Sequence, residues 1–141
     1  AEFVGAAPVE ELESVHNYID PGDRIIRKGA TPARRGQRVV IPFNMRDGIA
    51  LCVGKGNPAY NCSAPHGAGR ILSRSQAKRT LSLEAFKRGM RGIYTTTAVA
   101  ETLDEAPEAY KDTALILANI AETVNVEDFV KPVYNFKAAG D

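Results

Sequence analysis

The chain has 141 residues, 44% of them apolar and 25% charged, with a formal net charge of +1, which is long enough for one domain with a real core. No apolar run is long enough to span a membrane, and no signal-peptide pattern is present. The two cysteines, Cys52 and Cys62, make neither a disulfide framework nor a zinc motif, so a reduced, cytoplasmic setting is expected.

The near-zero net charge hides a segregation along the chain. Residues 1–23 carry six acids and no lysine or arginine, residues 24–91 carry 15 basic residues against Asp47 and Glu84, and residues 92–141 carry three lysines against nine acids. A block of +13 over 24–91 is the footprint of a polyanion-binding surface, with RNA or DNA the leading ligand. The alternative is a basic face that pairs with the two acidic ends of the same chain.

In chain order, Ala1-Glu2-Phe3 reads as a processed, trimmed or vector-written start, and residues 1–8 as vector sequence or disorder. Residues 9–16 predict a short helix with Val9, Leu12 and Val15-His16 near one face, followed by a turn at Asp20-Pro21-Gly22-Asp23. Arg24 to Lys28 predicts a strand, Gly29 to Gly36 a loop, and Arg38 to Phe43 a second strand. Asn44 to Gly48 predicts a turn and Ile49 to Val53 a buried strand. An irregular segment, Ala59 to Gly69, follows. Ser73 or Ser75 can cap a helix carrying Lys78, and Ser82 a second with Leu83, Phe86 and Met90 on its core side. Ile93 to Val99 predicts a strand and Thr102 to Pro107 a loop. Thr113 to Val124 predicts a helix with Leu115, Ile116, Ile120 and Val124 along one side, and Val130 to Phe136 a last strand. The whole reads as one mixed α/β unit over 1–141.

The chemistry gathers around Pro65-His66-Gly67-Ala68-Gly69-Arg70. Glycines at 67 and 69 let a ligand approach the main chain. Arg70, Arg74 and Lys78 recur every four residues, as on one helix face, and a glycine-rich loop opening a helix favours an anion. His66 is thus a candidate nucleophile or proton donor acting on phosphorus, with Arg70 and Arg74 to neutralise phosphate. The alternative is a turn bearing a surface histidine. Unperturbed imidazole titrates near pH ~6.5, so much of it is neutral and nucleophilic at neutral pH. His16 is the only other histidine, and one histidine is not a metal site. Tyr110 can stack on a base or pack; Lys137 can reach an acceptor or stay solvated.

An ordered series of motifs between about Glu13 and Lys137 resembles the C-terminal third of RtcB-type RNA ligases. The series comprises His16-Asn17, Arg27-Lys28-Gly29-Ala30-Thr31-Pro32-Ala33-Arg34, Gly54-Lys55-Gly56-Asn57, His66-Gly67-Ala68-Gly69-Arg70, Ser73-Arg74, Glu108-Ala109-Tyr110-Lys111 and Lys137. The resemblance implies the C-terminal portion of the RtcB-type fold. It also implies a GTP- and Mn2+-dependent ligase that joins RNA 3′-phosphate or 2′,3′-cyclic phosphate ends to 5′-hydroxyl ends. Its catalytic residue would be His66, carrying covalent GMP. His16 would bind manganese and Asn17 the nucleotide; Tyr110 would stack on guanine and Lys137 contact its edge. Gly67, Ala68 and Gly69 would lie against the nucleotide.

Two departures accompany the likeness. Many members have Pro-Gly-Ser-Met-Gly where this chain has Pro42-Phe43-Asn44-Met45-Arg46, and Ile49 lacks a hydroxyl often found at its position. This loop is still expected beside the nucleotide. The family's other metal ligands, an Asp, a Cys and two His, belong to an earlier portion with no counterpart here. The chain therefore reads as the nucleophile-bearing part of such a ligase, inactive alone and completed by the N-terminal portion. The alternatives are a non-catalytic RNA- or nucleotide-binding module, or a structural fragment with an interaction role.

Overall fold

The computed structural model describes Gly5 and residues 11–138. Seven strands and three helices follow in order: β1 Asn17–Asp20, β2 Ile25–Lys28, β3 Ala30–Pro32, β4 Arg38–Pro42, β5 Ile49–Gly54, β6 Ser63–Pro65, α1 Arg74–Thr80, α2 Leu83–Gly89, α3 Thr113–Ile120 and β7 Val124–Val130. The fold is mixed α/β, as expected. β1 pairs with β2, β3 with β6, and β4, β5 and β7 form a three-stranded sheet with β5 in the middle; all pairings are antiparallel.

The central sheet follows from alternation. Val39 and Ile41 on β4 are buried and lie opposite Cys52 and Ala50 on β5, also buried, so one face carries the core. Phe43, Ala64, Ala68, Ile116, Ile120 and Val124 complete this cluster. A second cluster forms where α2 packs Phe86 and Met90 against Met45, Leu103 and Ala106. Ser73 caps α1 in a reciprocal capping box with Gln76, and Ser82 caps α2 through the Ala85 N–H. The 42–49 turn crosses from one cluster to the other, with Phe43 in the first and Met45 in the second.

Several sequence expectations are corrected. In the predicted helix over 9–16, positions 9 and 10 lie outside the described residues, and 11–16 have no regular structure. Leu12 and Val15 are exposed, so a helix there would have no surface to pack on, and short helices are not stable without one. The expected 29–36 loop contains β3, and the irregular 59–69 segment contains β6. Each is three residues long, too short to show a period. Residues 93–99 form no strand beyond a single bridge between Tyr94 and Tyr134. Thr95 accepts the Thr97 N–H at 3.1 Å and Thr97 accepts the Lys137 N–H at 3.0 Å, so hydroxyls replace a ladder. Residues 102–107 are not a surface loop: two 3₁₀ turns, Ala100–Glu105 and Pro107–Ala109, bury them. α3 stops at Ile120, Leu115 is exposed, and Val124 opens β7. The last strand lies at 124–130 rather than 130–136; as an edge strand exposed from Asn125 onward it has no hydrophobic alternation to read.

One cation of the basic block is a structural bolt. Arg27 is 2% exposed. It donates to Tyr18 Oη at 3.0 Å, Asp20 at 2.9 Å, Ser63 Oγ at 3.0 Å and the Asn61 carbonyl at 3.3 Å, tying the β1–β2 hairpin to β6. Removing one partner of a buried charge pair leaves the other uncompensated. Arg27→Ala should therefore lower stability by about 3–5 kcal/mol in urea unfolding, whereas Lys28→Ala, on the exposed side of the same strand, should change it little.

Candidate active site

Two strand pairings meet at Gly29. In β1–β2 the register sets Asn17 opposite Lys28, so His16 falls opposite Gly29. In β3–β6 the register sets Ala30 opposite Pro65, so His66 also falls opposite Gly29. The Gly29 N–H donates to the His16 carbonyl at 2.8 Å and to Asn17 Oδ1 at 3.0 Å. The Gly29 carbonyl lies 2.7 Å from His66 Nδ1. Gly29 holds φ +69°, and a side chain on it would sit 3.5 Å from the His66 ring, so glycine suits both the left-handed backbone and the close approach. The His16 and His66 rings lie with centroids 4.5 Å apart.

This geometry supplies the tautomer-fixing partner that the sequence does not show. A carbonyl only accepts, so Nδ1 carries the proton and, in the neutral ring, Nε2 carries the free lone pair. His66 is exposed. The 66–69 loop separates two hollows and lines both: a cavity of about 770 Å³ on one side and one of about 500 Å³ on the other. Gly69 holds φ +70°, which turns the chain out of β6 toward Arg70. Among the described residues the Gly67 and Gly69 N–H groups make no hydrogen bond, while Ala68 N–H is taken by the Pro42 carbonyl at 3.1 Å.

The larger cavity gathers most of the residues singled out from the sequence. Pro42, Phe43, Asn44, Met45 and Ile49 from the turn and β5 line it with His66, Gly67, Ala68 and Gly69, and with Arg70, Arg74, Tyr110 and Lys137. His16 and Asn17 do not line it; they stand behind the His66 loop at Gly29. Sequence reasoning missed Gly48, Val130, Pro132, Tyr134 and Asn135, which complete the wall. Gly48 belongs to the turn before β5; the others come from the far end of β7 and the segment after it, brought here by the β5–β7 pairing, the Tyr94–Tyr134 bridge and the bond from the Asn135 amide to the Met45 carbonyl. The departing 42–46 loop satisfies itself. Asn44 Oδ1 accepts the Arg46 and Asp47 N–H groups at 2.9 Å each, and its amide donates to Asp47 at 2.8 Å. The turn therefore offers few free donors, and with Phe43 and Met45 buried its outward apolar side chains are those of Pro42 and Ile49.

The arginines expected to meet phosphate end instead on two buried acids. α1 starts at Arg74, so Arg70 precedes the helix, and the helix N-terminus is capped internally. The expected shared helix face and free dipole end are thus absent. Arg70 donates to Glu105 Oε1 at 2.6 Å and to Tyr110 Oη at 3.0 Å, with its guanidinium 4.7 Å above the Tyr110 ring. Arg74 reaches Asp104 and Glu105 at 2.5 Å each, and Lys78 reaches Asp104 at 3.5 Å. Lys137 Nζ lies 3.6 Å from Glu105, and Tyr110 Oη donates to Glu105 at 2.6 Å. Asp104 and Glu105 are the functional residues that sequence reasoning passed over. Their signal was two adjacent acids inside an otherwise apolar Thr102-to-Pro107 stretch.

Burial works to raise both carboxyls, but the surrounding donors win. Hydrogen bonds from Tyr110 and Arg74 and the charges of Arg70 and Lys137 hold Glu105 below its ordinary value, and Arg74 and Lys78 do the same for Asp104. Burial, then the bond to Glu105, pushes the Tyr110 phenol up to about 12. Groups with lowered folded pKa stabilise fully above their unfolded value, about 4 for carboxylates, and that stability is lost as pH falls through the lower folded value. Melting temperature should thus drop on acidification below pH ~4, and drop less steeply in Asp104→Asn/Glu105→Gln.

Among the described residues, no group of three His, Cys, Asp or Glu side chains is placed to hold a metal ion. His16 stands beside His66 without further ligands, and Cys52 is fully buried with its thiol pushed up to about 11 by burial. The donor set here does not by itself fit manganese, which needs several oxygen or nitrogen ligands. No helix of the described residues is long and apolar enough to cross a membrane.

Comparison with known proteins places the chain in a family. The family model for the tRNA-splicing ligase RtcB matches residues 9–138. The RNA-splicing ligase RtcB of Escherichia coli K12 is 38% identical over 124 residues, covering 84% of this chain and 30% of that protein. The RtcB of Mycobacterium tuberculosis H37Rv is 46% identical over 81 residues, covering 55% of this chain and 18% of its own. The tRNA-splicing ligase RtcB of Aeropyrum pernix is 38% identical over 96 residues, covering 64% and 20%. The chain spans less than a third of the length of these curated relatives. With the family model covering almost all of it, this chain belongs to the RtcB tRNA-splicing ligase family.

Proposed function

We propose that this chain is the nucleophile-bearing portion of an RNA ligase that joins 3′-phosphate or 2′,3′-cyclic phosphate ends to 5′-hydroxyl ends through a histidine–GMP intermediate. The observation that carries the proposal is the 2.7 Å bond from His66 Nδ1 to the Gly29 carbonyl, which leaves Nε2 as the nucleophile on the loop between two cavities. Nε2 attacks the α-phosphorus of GTP, an N–P bond forms, and pyrophosphate leaves with the electrons of the broken P–O bond. The Nδ1 proton stays on the ring, and its positive charge rests against the Gly29 carbonyl. A 2′,3′-cyclic end is first opened by water to the 3′-phosphate; an oxygen of that phosphate attacks the GMP phosphorus, breaking the N–P bond and freeing the imidazole, and the 5′-hydroxyl oxygen then attacks the 3′-phosphorus, giving up its proton to water as GMP leaves.

The chain's residues divide this work. Pro42, Ile49 and the Tyr110 ring, backed by the buried Phe43 and Met45, form a slot for the guanine, one Tyr110 face being covered by Arg70. Gly67 and Gly69 offer N–H groups near the phosphorus. Arg70, Arg74 and Lys78 already answer carboxylates, which leaves Lys111, whose side chain approaches Gly69 and makes no ion pair among the described residues, beside the His66 loop to meet a triphosphate. Manganese would supply further charge, held by His16 together with ligands from the rest of a full-length ligase. RNA is held on the exposed basic groups Arg79, Lys87, Arg88 and Arg91, which make no ion pair among the described residues. The compartment proposed is the cytoplasm.

Radioactive GTP labelling tests the reaction. The chain alone with GTP and manganese should take up little acid-labile label, and addition of the N-terminal portion of an RtcB-type ligase should raise it. His66→Ala should abolish that label and Cys62→Ala should not. Label that survives His66→Ala would remove the nucleophile assignment.

Two binding measurements follow. Affinity for single-stranded RNA should fall steeply between low and physiological salt, because phosphate contacts release counterions; a flat response would leave no electrostatic site. Tyr110→Ala should weaken guanine nucleotide binding by about 1–3 kcal/mol, and Tyr110→Phe, which keeps the ring, by less.

A further inference from the structure

Glu105 belongs to none of the motifs that mark the family likeness, yet it is the most heavily engaged side chain beside the cavity. It is 8% exposed. Its two oxygens separate two groups of donors. Oε1 accepts Arg70 at 2.6 Å and Arg74 at 2.5 Å; Oε2 accepts Tyr110 Oη at 2.6 Å and faces Lys137 Nζ at 3.6 Å. The arginines anchor the carboxylate through one oxygen and the other holds Tyr110 and Lys137; all four line the cavity, and Arg70 also donates to Tyr110 Oη at 3.0 Å.

Lys137 needs such a hold. It lies in the irregular segment after β7, tied there by its own N–H to Thr97 Oγ1 at 3.0 Å, and its side chain is 42% exposed. An ammonium on a flexible four-carbon stem takes a defined place only against a fixed partner. Its 3.6 Å contact with Glu105 is an ion pair rather than a hydrogen bond, so its N–H donors remain for the cavity, and it can accept nothing. Guanine presents a carbonyl where adenine presents an amino group, so a held ammonium favours the first and opposes the second.

We infer that Glu105 is a positioning residue that sets base preference in the cavity by fixing Lys137 and Tyr110 on one carboxylate oxygen. This rests on reading the cavity as a nucleotide site. Glu105 does not read the base itself, because both oxygens already face two donors. A merely structural acid would change stability and leave the ratio of guanine to adenine affinity alone.

The test is calorimetric titration of the whole chain with GMP and with AMP at one fixed salt concentration. The wild type should favour GMP by at least about tenfold. Glu105→Gln should weaken GMP by about tenfold, the scale of one charged hydrogen bond, and bring the two nucleotides within about threefold. Glu105→Asp keeps the charge but shortens the reach, and should fall between; it decides the matter if Glu105→Gln does not fold. Lys137→Met should remove the preference equally, and Glu105→Gln added to it should shift the ratio no further, as for two residues acting in series. Ultraviolet titration of the tyrosines in Glu105→Gln should show the Tyr110 phenol moving down toward about 10. An unchanged GMP-to-AMP ratio in a folded Glu105 variant overturns the inference, as does a wild type that binds both nucleotides equally. A wild type that binds neither overturns the nucleotide reading and the inference with it.

Discussion

The hydrogen bond from His66 Nδ1 to the Gly29 carbonyl is the contact on which the site depends. It exists because two short ladders, β1–β2 and β3–β6, share the residue between β2 and β3. Gly29 is the one residue between them, so its N–H serves the His16–Asn17 side and its carbonyl serves His66. A side chain there would resist the left-handed backbone and come into contact with the imidazole. One glycine thus couples the hairpin, the histidine tautomer and the spacing of the two imidazole rings.

The second constraint is electrostatic. Two adjacent acids, Asp104 and Glu105, are buried by 3₁₀ turns under α1 and gather Arg70, Arg74, Lys78, Lys137 and the Tyr110 hydroxyl. Their folded pKa values stay low because those donors outweigh the burial. Much of the basic block therefore serves cohesion. Arg27 and Arg34 answer Asp20 and Asp23, Arg38 answers Glu127, and Arg46 answers Asp47 and Glu108. Of the two readings of the charge segregation, the structure shows the pairing of acidic ends with one portion of the basic middle, while the α1–α2 surface keeps exposed cations.

The larger cavity sits at the seam between two apolar clusters. Phe43 roots one wall in the sheet core and Met45 roots the next in the α2 core, so the wall is rigid although it is built from a turn. The same seam explains why a loop that departs from the family's glycine- and serine-containing pattern still lies beside the histidine. Its shape comes from Asn44 bonding to its own turn and from two buried side chains.

Local chemistry was legible in the residues themselves. β4 and β5 alternate, Ser73 and Ser82 cap, Phe86 and Met90 face inward, and the ordered motifs around His16, His66, Tyr110 and Lys137 carry the family likeness. The 42–49 turn and the glycine-rich loop were also readable, because each depends on residues close in sequence. What the sequence could not show depends on separation. β3 and β6 are three-residue strands that exist only through each other. Residues 11–16 lose their apparent helix for want of a surface to pack on, and β7 is an exposed edge without alternation. The partner that fixes the His66 tautomer lies 37 residues away, and Glu105 meets Arg70 across 35. Composition and spacing determined which groups are available and where chains turn; only tertiary pairing decided which donor meets which acceptor, because a carbonyl or a buried carboxylate has no sequence signature of the partner it will take.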